Sequence, residues 1–341
     1  MSGPPQGTLW IDSLPSNNPD YVIGIDTAFF NVNAVFKGLK VIPAGLHLFH
    51  YADGDMRAGK WLEFHDNQVI SIYWDCEKEQ FLQKTPDMDK VASEYHLMVS
   101  YPEDIEVWTS LTRHIEMCDV QAIGPSEPIT TATPSKEENL VLERTLKSKD
   151  PNQVLSDQTS EELSYTIVSF RETEGNSDEQ KTKNALDRSW QLHQLYPSKR
   201  LLLSELQISF VHFCVLANLC SCTQWTTLLR LVSSSEAFLH ENAEVANCFL
   251  ELFLAQLKKI PEEYVGATEL GVVDIKEFTG IFEKLVSIFQ NSSRWHAIDS
   301  VCQSRFGFQI KNLQAKFDAD NYEIYDLNDH DEEDEDAPAL V

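Results

Sequence analysis

The sequence predicts an α+β protein of two domains, an N-terminal β-sandwich-like domain followed by an all-α helical domain. Three observations carry this. Short β-branched or aromatic runs punctuated by turn residues fill roughly the first quarter of the chain. Apolar residues recur at helical spacing from Ala185 to Phe306. Between them, from Ala122 to Leu163, the composition shifts to Pro, Ser, Thr and charge. The expected division is 1–121 for the sandwich and its closing helix, 122–163 for a linker, 164–317 for the helical domain and 318–341 for an acidic tail.

In the first part, Thr8–Ser13, Tyr21–Ile25, Phe29–Val32, Leu46–Tyr51, Lys60–Phe64, Val69–Trp74 and Gln80–Gln83 are expected strands. Turn signals such as Pro43-Ala44-Gly45 and Asp53-Gly54-Asp55 separate them. Asp87–Met98 is an expected helix with Val91 and Tyr95 inward. Pro102–Met117 is a second: proline suits its first turn, Glu103, Asp104 and Glu106 complement the positive end, and Ile105, Trp108, Leu111 and Ile115 form one stripe. In the linker, Pro125, Pro128, Pro134 and Pro151 bar long regular structure, leaving room for a short helix within Glu137–Leu146. Leu163–Phe170 is an expected strand, and Glu172–Lys183 a polar loop.

The helical part centres on Leu201–Val232, the densest apolar run, whose only charges are Glu205 and Arg230. Ser204 and Gln207 have the form of a capping box, with Leu203 and Ile208 as the staple. Leu206, Phe210, Phe213, Cys214 and Ala217 fall on one face and Ile208, Val211, Val215 and Leu219 on the next, so nearly the whole circumference demands burial. A turn at Cys220–Thr223 then leads into an antiparallel partner carrying Trp225, Leu228, Leu229 and Val232. Glu236–Lys259, Val272–Phe289 and Trp295–Phe306 complete the helices, and Ala185–Leu195 leads into them.

Composition excludes some functions. A net charge of −27 over 341 residues opposes a phosphate-binding surface, so no direct nucleic-acid contact is expected. Eleven of the 54 acids lie between Asp318 and Asp336, so the body is acidic even without them. Glu205, Gln207, His212 and Asn218 interrupt the greasiest run before it could span a membrane. Seven scattered cysteines and a start lacking a basic, apolar leader point to an intracellular chain with reduced thiols.

No phosphate-binding glycine loop and no GxSxG elbow is present. The nearest approach to a metal site is His47 and His50 followed by Asp53. Positions i and i+3 on a strand face opposite ways, so the imidazoles are not expected to converge. Cys214, Cys220 and Cys222 lack zinc spacing, and Asp318-Ala319-Asp320 lacks the glycine of a calcium loop. No catalytic group, metal or cofactor is therefore assigned. A metal-dependent hydrolase on His47, His50 and Asp53, or a general peptide-binding adaptor, stands as the alternative. Within the tail, Tyr322, Ile324, Tyr325 and Leu327 form an apolar island able to add a strand to a partner's sheet.

Gly24-Ile25-Asp26 and the run Phe36–Tyr51 (FKGLKVIPAGLHLFHY) resemble the N-terminal signature of the Aar-two family of splicing factors. Tyr101-Pro102, Trp108 and Ser110-Leu111-Thr112, then Ser204-Glu205-Leu206-Gln207, Gln224-Trp225, Leu228–Ser234 and Lys259-Ile260-Pro261 are similar to later segments of the same family, in order. Serine 204 stands where the family has glycine. The resemblance implies a β-sandwich followed by a VHS-like helical domain. It also implies a non-catalytic assembly chaperone of the U-five small nuclear ribonucleoprotein, a monomer within its complex, found in cytoplasm and nucleus. Its partner would be the large central scaffold protein of the spliceosome, held through RNase H-like and Jab/MPN domains while the RNA helicase and RNA are kept away. Phosphorylation near Ser221 or Ser233 is the expected release trigger.

Overall fold

The computed structural model describes residues 6–15, 21–33, 35–101, 105–149, 162–171, 174–265, 272–273 and 275–307. Its N-terminal half is a sandwich of two five-stranded sheets. In the first, β8 (Gln80–Lys84), β7 (Val69–Asp75), β1 (Gly7–Ile11), β4 (Gly38–Ile42) and β9 (Val99–Ser100) lie side by side in that order, with β1 parallel to β7 and antiparallel to β4. In the second the order is β10 (Ile129–Thr130), β6 (Met56–Phe64), β5 (Gly45–Asp53), β2 (Val22–Ile25) and β3 (Ala28–Asn31), all antiparallel. Leu9, Ile11, Leu39 and Ile72 of one sheet meet Ile23, Ile25, Phe49 and Leu62 of the other. Alternate residues of each strand face that core, as the two-residue period requires.

The outer face of each sheet is covered too. Behind the first, Trp10 packs on Val91 of α1 (Met88–Glu94) and donates its indole N–H to Glu94 at 2.7 Å. Tyr95, expected inward, is exposed because the chain tightens there into a 3₁₀ turn, Tyr95–Leu97. Behind the second sheet, Leu48 and Trp61 meet Trp108 of α2 (Ile105–Thr112), Val120 and Ile123 of α3 (Met117–Ile123), and the helical half. This double burial explains why β5 is apolar almost without alternation. The single helix expected over Pro102–Met117 is thus two, since Glu116 caps α3 through a reciprocal bond with Asp119; Pro102, Glu103 and Asp104 lie outside the described residues.

The stretch 122–163 carries two elements rather than loop alone. Ile129-Thr130 closes the edge of the second sheet, a position that tolerates the prolines around it. Lys136–Lys149 forms α4, which covers the short helix expected within Glu137–Leu146 and extends beyond it at both ends. Leu163–Phe170 is extended but is no strand: beyond a bridge from Leu163 to Ser135 and a bond from the Ser164 N–H to the Ile123 carbonyl, its main chain bonds to side chains rather than to a sheet. The expected polar loop Glu172–Lys183 holds the start of α5 (Asp178–Leu186), capped by Ser177.

After α6 (Ser189–Leu195), the central helix α7 runs Lys199–Leu216. It begins a turn and a half earlier than the Ser204 capping box predicts, with Ser198 at the N-cap; Ser204 sits inside the helix with its hydroxyl on Asp119. The two apolar faces have separate destinations. Leu206, Phe210 and Phe213 enter the helical core, and Ile208, Val211 and Val215 enter the seam against the second sheet. The turn to α8 (Leu219–Ser233) comes at Ala217 and Asn218 rather than Cys220–Thr223, with Ala217 left-handed at φ 52° and Asn218 capping α8. Leu219, expected on the buried face of α7, is therefore the exposed first residue of α8. Glu236–Lys259 is two helices, α9 (Glu236–Glu241) and α10 (Ala243–Lys259), divided at Asn242. α11 (Ile275–Phe289) and α12 (Ser293–Phe306) follow. Gln256 of α10 ties three helices together, accepting from Trp225 Nε1 at 3.0 Å and donating to the Leu206 carbonyl at 3.1 Å.

Candidate functional site

Several buried polar side chains lie where the two halves meet, and three clusters hold that seam. The first is a directed chain of hydrogen bonds around His212 on α7, which is fully buried. Trp61 on β6 donates Nε1–H to His212 Nε2 at 2.9 Å. Nε2 must then be the acceptor, so Nδ1 carries the proton and donates to the Tyr165 hydroxyl at 3.0 Å. Tyr165 in turn donates to Ser221 Oγ (2.9 Å), and Ser221 to Asn218 Oδ1 (2.6 Å). Asn218 Nδ2 ends the chain on the carbonyls of Thr130 and Thr133. Burial alone pushes the His212 imidazole down to about 3, keeping it neutral as this order demands.

The second cluster surrounds Glu205, also on α7. Its carboxylate accepts from Thr166 N and Oγ1 (both 2.7 Å), from Tyr196 Oη (2.9 Å) and from Gln224 Nε2 (2.9 Å). Burial nonetheless outweighs these donors and raises its pKa. Glu205 thus fastens the extended segment after Leu163 to α7 and α8. The third is Asp119 on α3, which accepts from Arg200 Nη1 (2.5 Å) and Nη2 (3.0 Å) and from Ser204 Oγ (2.7 Å). Burial acts upward on its carboxyl, but Arg200, the Glu116 N–H and Ser204 together hold it below the usual carboxylate range.

His47 and His50 do not converge on an open position. Both rings are buried, and both are occupied by Asp26, from opposite sides. Asp26 takes the left-handed conformation (φ 59°) in the β2–β3 turn, which aspartate tolerates. Its carboxylate meets His47 Nδ1 at 2.7 Å, Tyr101 Oη at 2.5 Å and Leu48 N at 2.9 Å, while its carbonyl accepts from His50 Nε2 at 3.0 Å. His47 Nε2 donates to the Pro43 carbonyl. Burial raises Asp26 against these partners and lowers His50 to about 3. Asp53 lies exposed at the far end of β5. Among the described residues no group of three or more His, Cys, Asp or Glu could hold a metal, and no helix is long and apolar enough to cross a membrane. The hydrolase alternative has no assembled site among the described residues.

Ser221 and Ser233 are both buried. Ser221 belongs to the His212 chain, and Ser233 donates to the Arg230 carbonyl within its own helix at 3.0 Å. A kinase would reach either only after α8 had opened. Tyr322, Ile324, Tyr325 and Leu327 lie outside the described residues. The partners of His212 are not legible in the sequence, because Trp61 and Tyr165 lie 151 and 47 positions away from it.

Beside the seam runs a groove of about 500 Å³ between α4 and α8, floored by Tyr165–Phe170. A second opening of about 270 Å³ lies between the β2–β3 turn and α7, lined by Thr27, Phe29, Cys214 and Lys259.

Comparison with known proteins matches both halves in order: residues 5–125 to the AAR2 N-terminal domain and residues 165–311 to the AAR2 C-terminal repeat region. The chain belongs to the AAR2 family. Relatives named "Protein AAR2 homolog" include those of Homo sapiens and Pongo abelii, each 25% identical over 337 residues, 86% of this chain and 85% of theirs. That of Caenorhabditis elegans is 22% identical, over 71% of this chain and 76% of its own. The seam residues Trp61, Asp119, Glu205 and His212, Asp26 of the sandwich and Trp225 of the helical core all fall inside the matched regions.

Proposed function

We propose that this AAR2-family chain is a non-catalytic pre-mRNA splicing factor, an assembly chaperone of the U-five small nuclear ribonucleoprotein. It acts by occupying surfaces of the large spliceosomal scaffold protein, on its RNase H-like and Jab/MPN domains, and so delays the RNA helicase and RNA. The observation that carries this reading is the match of both family domains, in order, over most of the chain. The chemistry of the interior agrees with it, since Asp26, Glu205 and His212 are committed to holding the molecule together.

Within this reading, Tyr322–Leu327 adds a strand to the scaffold, and the −27 charge repels RNA from a basic scaffold surface. Purification from cells should recover the scaffold as the dominant companion. Deleting 318–341 should weaken binding to the scaffold's RNase H-like and Jab/MPN domains, and converting tail acids to amides should ease RNA competition. Recovery without any spliceosomal protein, or full affinity without the tail, overturns it. Release by phosphorylation at Ser221 or Ser233 requires α8 to open first. A phosphomimetic at Ser221 should therefore loosen the seam and the complex together.

A further inference from the structure

The groove between α4 and α8 has three walls of different character, which run side by side in one direction. Tyr165 lies beside Ser221, Thr166 beside Gln224 and Phe170 beside Arg230. α4 starts beside the same end, where Ser135 bridges Leu163. It presents Glu138, Val141, Leu142 and Thr145 to the groove, one face at helical spacing. Val141 and Leu142 are 55% and 48% exposed, and no described residue of α4 is buried. On the floor, Ile167 is 40% exposed. The main-chain groups of Ile167 and Val168 make no hydrogen bond to any described residue, while their neighbours Thr166, Ser169 and Phe170 are all engaged. An extended segment with open main-chain groups beside an apolar helix face is a place where a strand can be added.

The downstream end of the groove is cationic. The exposed Arg230 guanidinium lies 4.2 Å from the Phe170 ring centre, the exposed Lys284 reaches Ser234 at 2.8 Å, and the buried Arg188 behind them donates to the Phe170 carbonyl. Such a cluster is notable in a chain with twice as many acids as bases. The same chain supplies a matching segment. Tyr322–Leu327 combines apolar and strand-forming residues, and seven acids with one histidine between follow it from Asp329 to Asp336, broken by no Lys or Arg. The 14 residues from 308 to 321 join it to α12 and can extend ~46–50 Å. That exceeds the diameter of about 35–40 Å expected of a domain the size of the helical half.

We infer that the groove between α4 and α8 is the docking site of this chain's own tail: Tyr322–Leu327 lies along Ile167–Val168, parallel to Tyr165–Phe170, with the following acids beside the exposed Arg230 and Lys284. The direction is set by charge, since the opposite one would carry the acidic run to Glu137 and Glu138. The docking does not depend on any scaffold. Its consequence does rest on the function proposed above: a tail held in cis is withheld from a partner, which must compete for it.

Hydrogen exchange of the purified full-length chain, with the free peptide 318–336 as reference, tests this without a partner. Amides of 322–327 should exchange about tenfold or more slowly than in the peptide, and the effect should weaken in high salt. The exposed pair Val141→Asp and Leu142→Asp should abolish the slowing. In reciprocal fashion, Ile324→Asp with Leu327→Asp, which cannot unfold the body, should speed exchange at Ile167 and Val168. Tail amides exchanging at the peptide's rate would overturn the proposal, as would slowing that survives both pairs of substitutions. Slowing that grows with protein concentration would assign the groove to a second copy and overturn it as well.

Discussion

Replacing Trp61 by phenylalanine keeps an aromatic ring against Trp108 but removes the N–H that His212 Nε2 accepts. His212 has no solvent exposure, so its nitrogen cannot turn to bulk water instead. A buried acceptor left unsatisfied costs about 1–3 kcal/mol, and the smaller ring in a packed seam adds roughly 1 kcal/mol. The expected loss is therefore about 2–4 kcal/mol, a large part of the stability of an ordinary domain. Urea unfolding followed by tryptophan fluorescence and by circular dichroism measures it. A double-mutant cycle with His212→Leu isolates the pair, because leucine removes the acceptor while Tyr165 can still donate to Ser221. Coupling of about 0.5–3 kcal/mol is expected for groups in direct contact. A Trp61→Phe protein within about 0.5 kcal/mol of the parent, or a cycle that closes with no coupling, would refute the directed chain.

Acid should destabilise the fold before its surface carboxylates titrate. His50 and His212 are held near 3, so both stay neutral in the fold but take up protons on unfolding below about 6.5. Their contribution is whole above pH 6.5 and falls as pH drops toward 3, by up to about 1.4 kcal/mol per unit for each ring. Asp26 and Glu205, both raised by burial, oppose this at the acid end of the range. Urea midpoints measured at pH 7 and 5 should differ clearly, and equal midpoints would contradict the burial of both rings. Gly24→Ala should cost more than about 3 kcal/mol, because a Cβ there would stand 1.9 Å from His50 Cε1 and 2.5 Å from the Ala28 carbonyl; a melting temperature equal to the parent's would rule out that packing. Arg200→Ala leaves the Asp119 carboxylate with Ser204 and the Glu116 N–H. The partial exposure of Arg200 reduces the cost to about 1–3 kcal/mol, measurable by thermal unfolding.

Much of the architecture was legible because local rules and tertiary demands agreed. The strands β1–β3 and β5–β8 carry β-branched or aromatic residues between turn signals, and each formed within a few positions of expectation. β4, β9 and β10 escaped notice for different reasons. Gly38–Ile42 begins with glycine and contains a bulge at Val41, and the two-residue strands form only because an open sheet edge is available. Helix ends failed where caps were atypical. Ala217 takes a left-handed conformation usually given to glycine, and Ser204 offers a capping pattern in mid-helix because its hydroxyl is claimed by Asp119.

What the sequence determined by itself was the kind of protein: two cores, a polar stretch between them, an acidic tail, and the ordered signatures of its family. It also foretold that α7 would be buried all round, since apolar residues on two adjacent faces of one helix need two partners. Only the tertiary structure decided which partners those are. One face of α7 meets its sister helices and the other meets the outer surface of a β-sheet, and the polar residues on that line, Trp61, Tyr165, His212 and Ser221, find one another there. A hydrogen bond between residues 151 positions apart leaves no periodic trace in a sequence. Its partners become neighbours only after both cores have formed, because burying apolar surface is what brings them together.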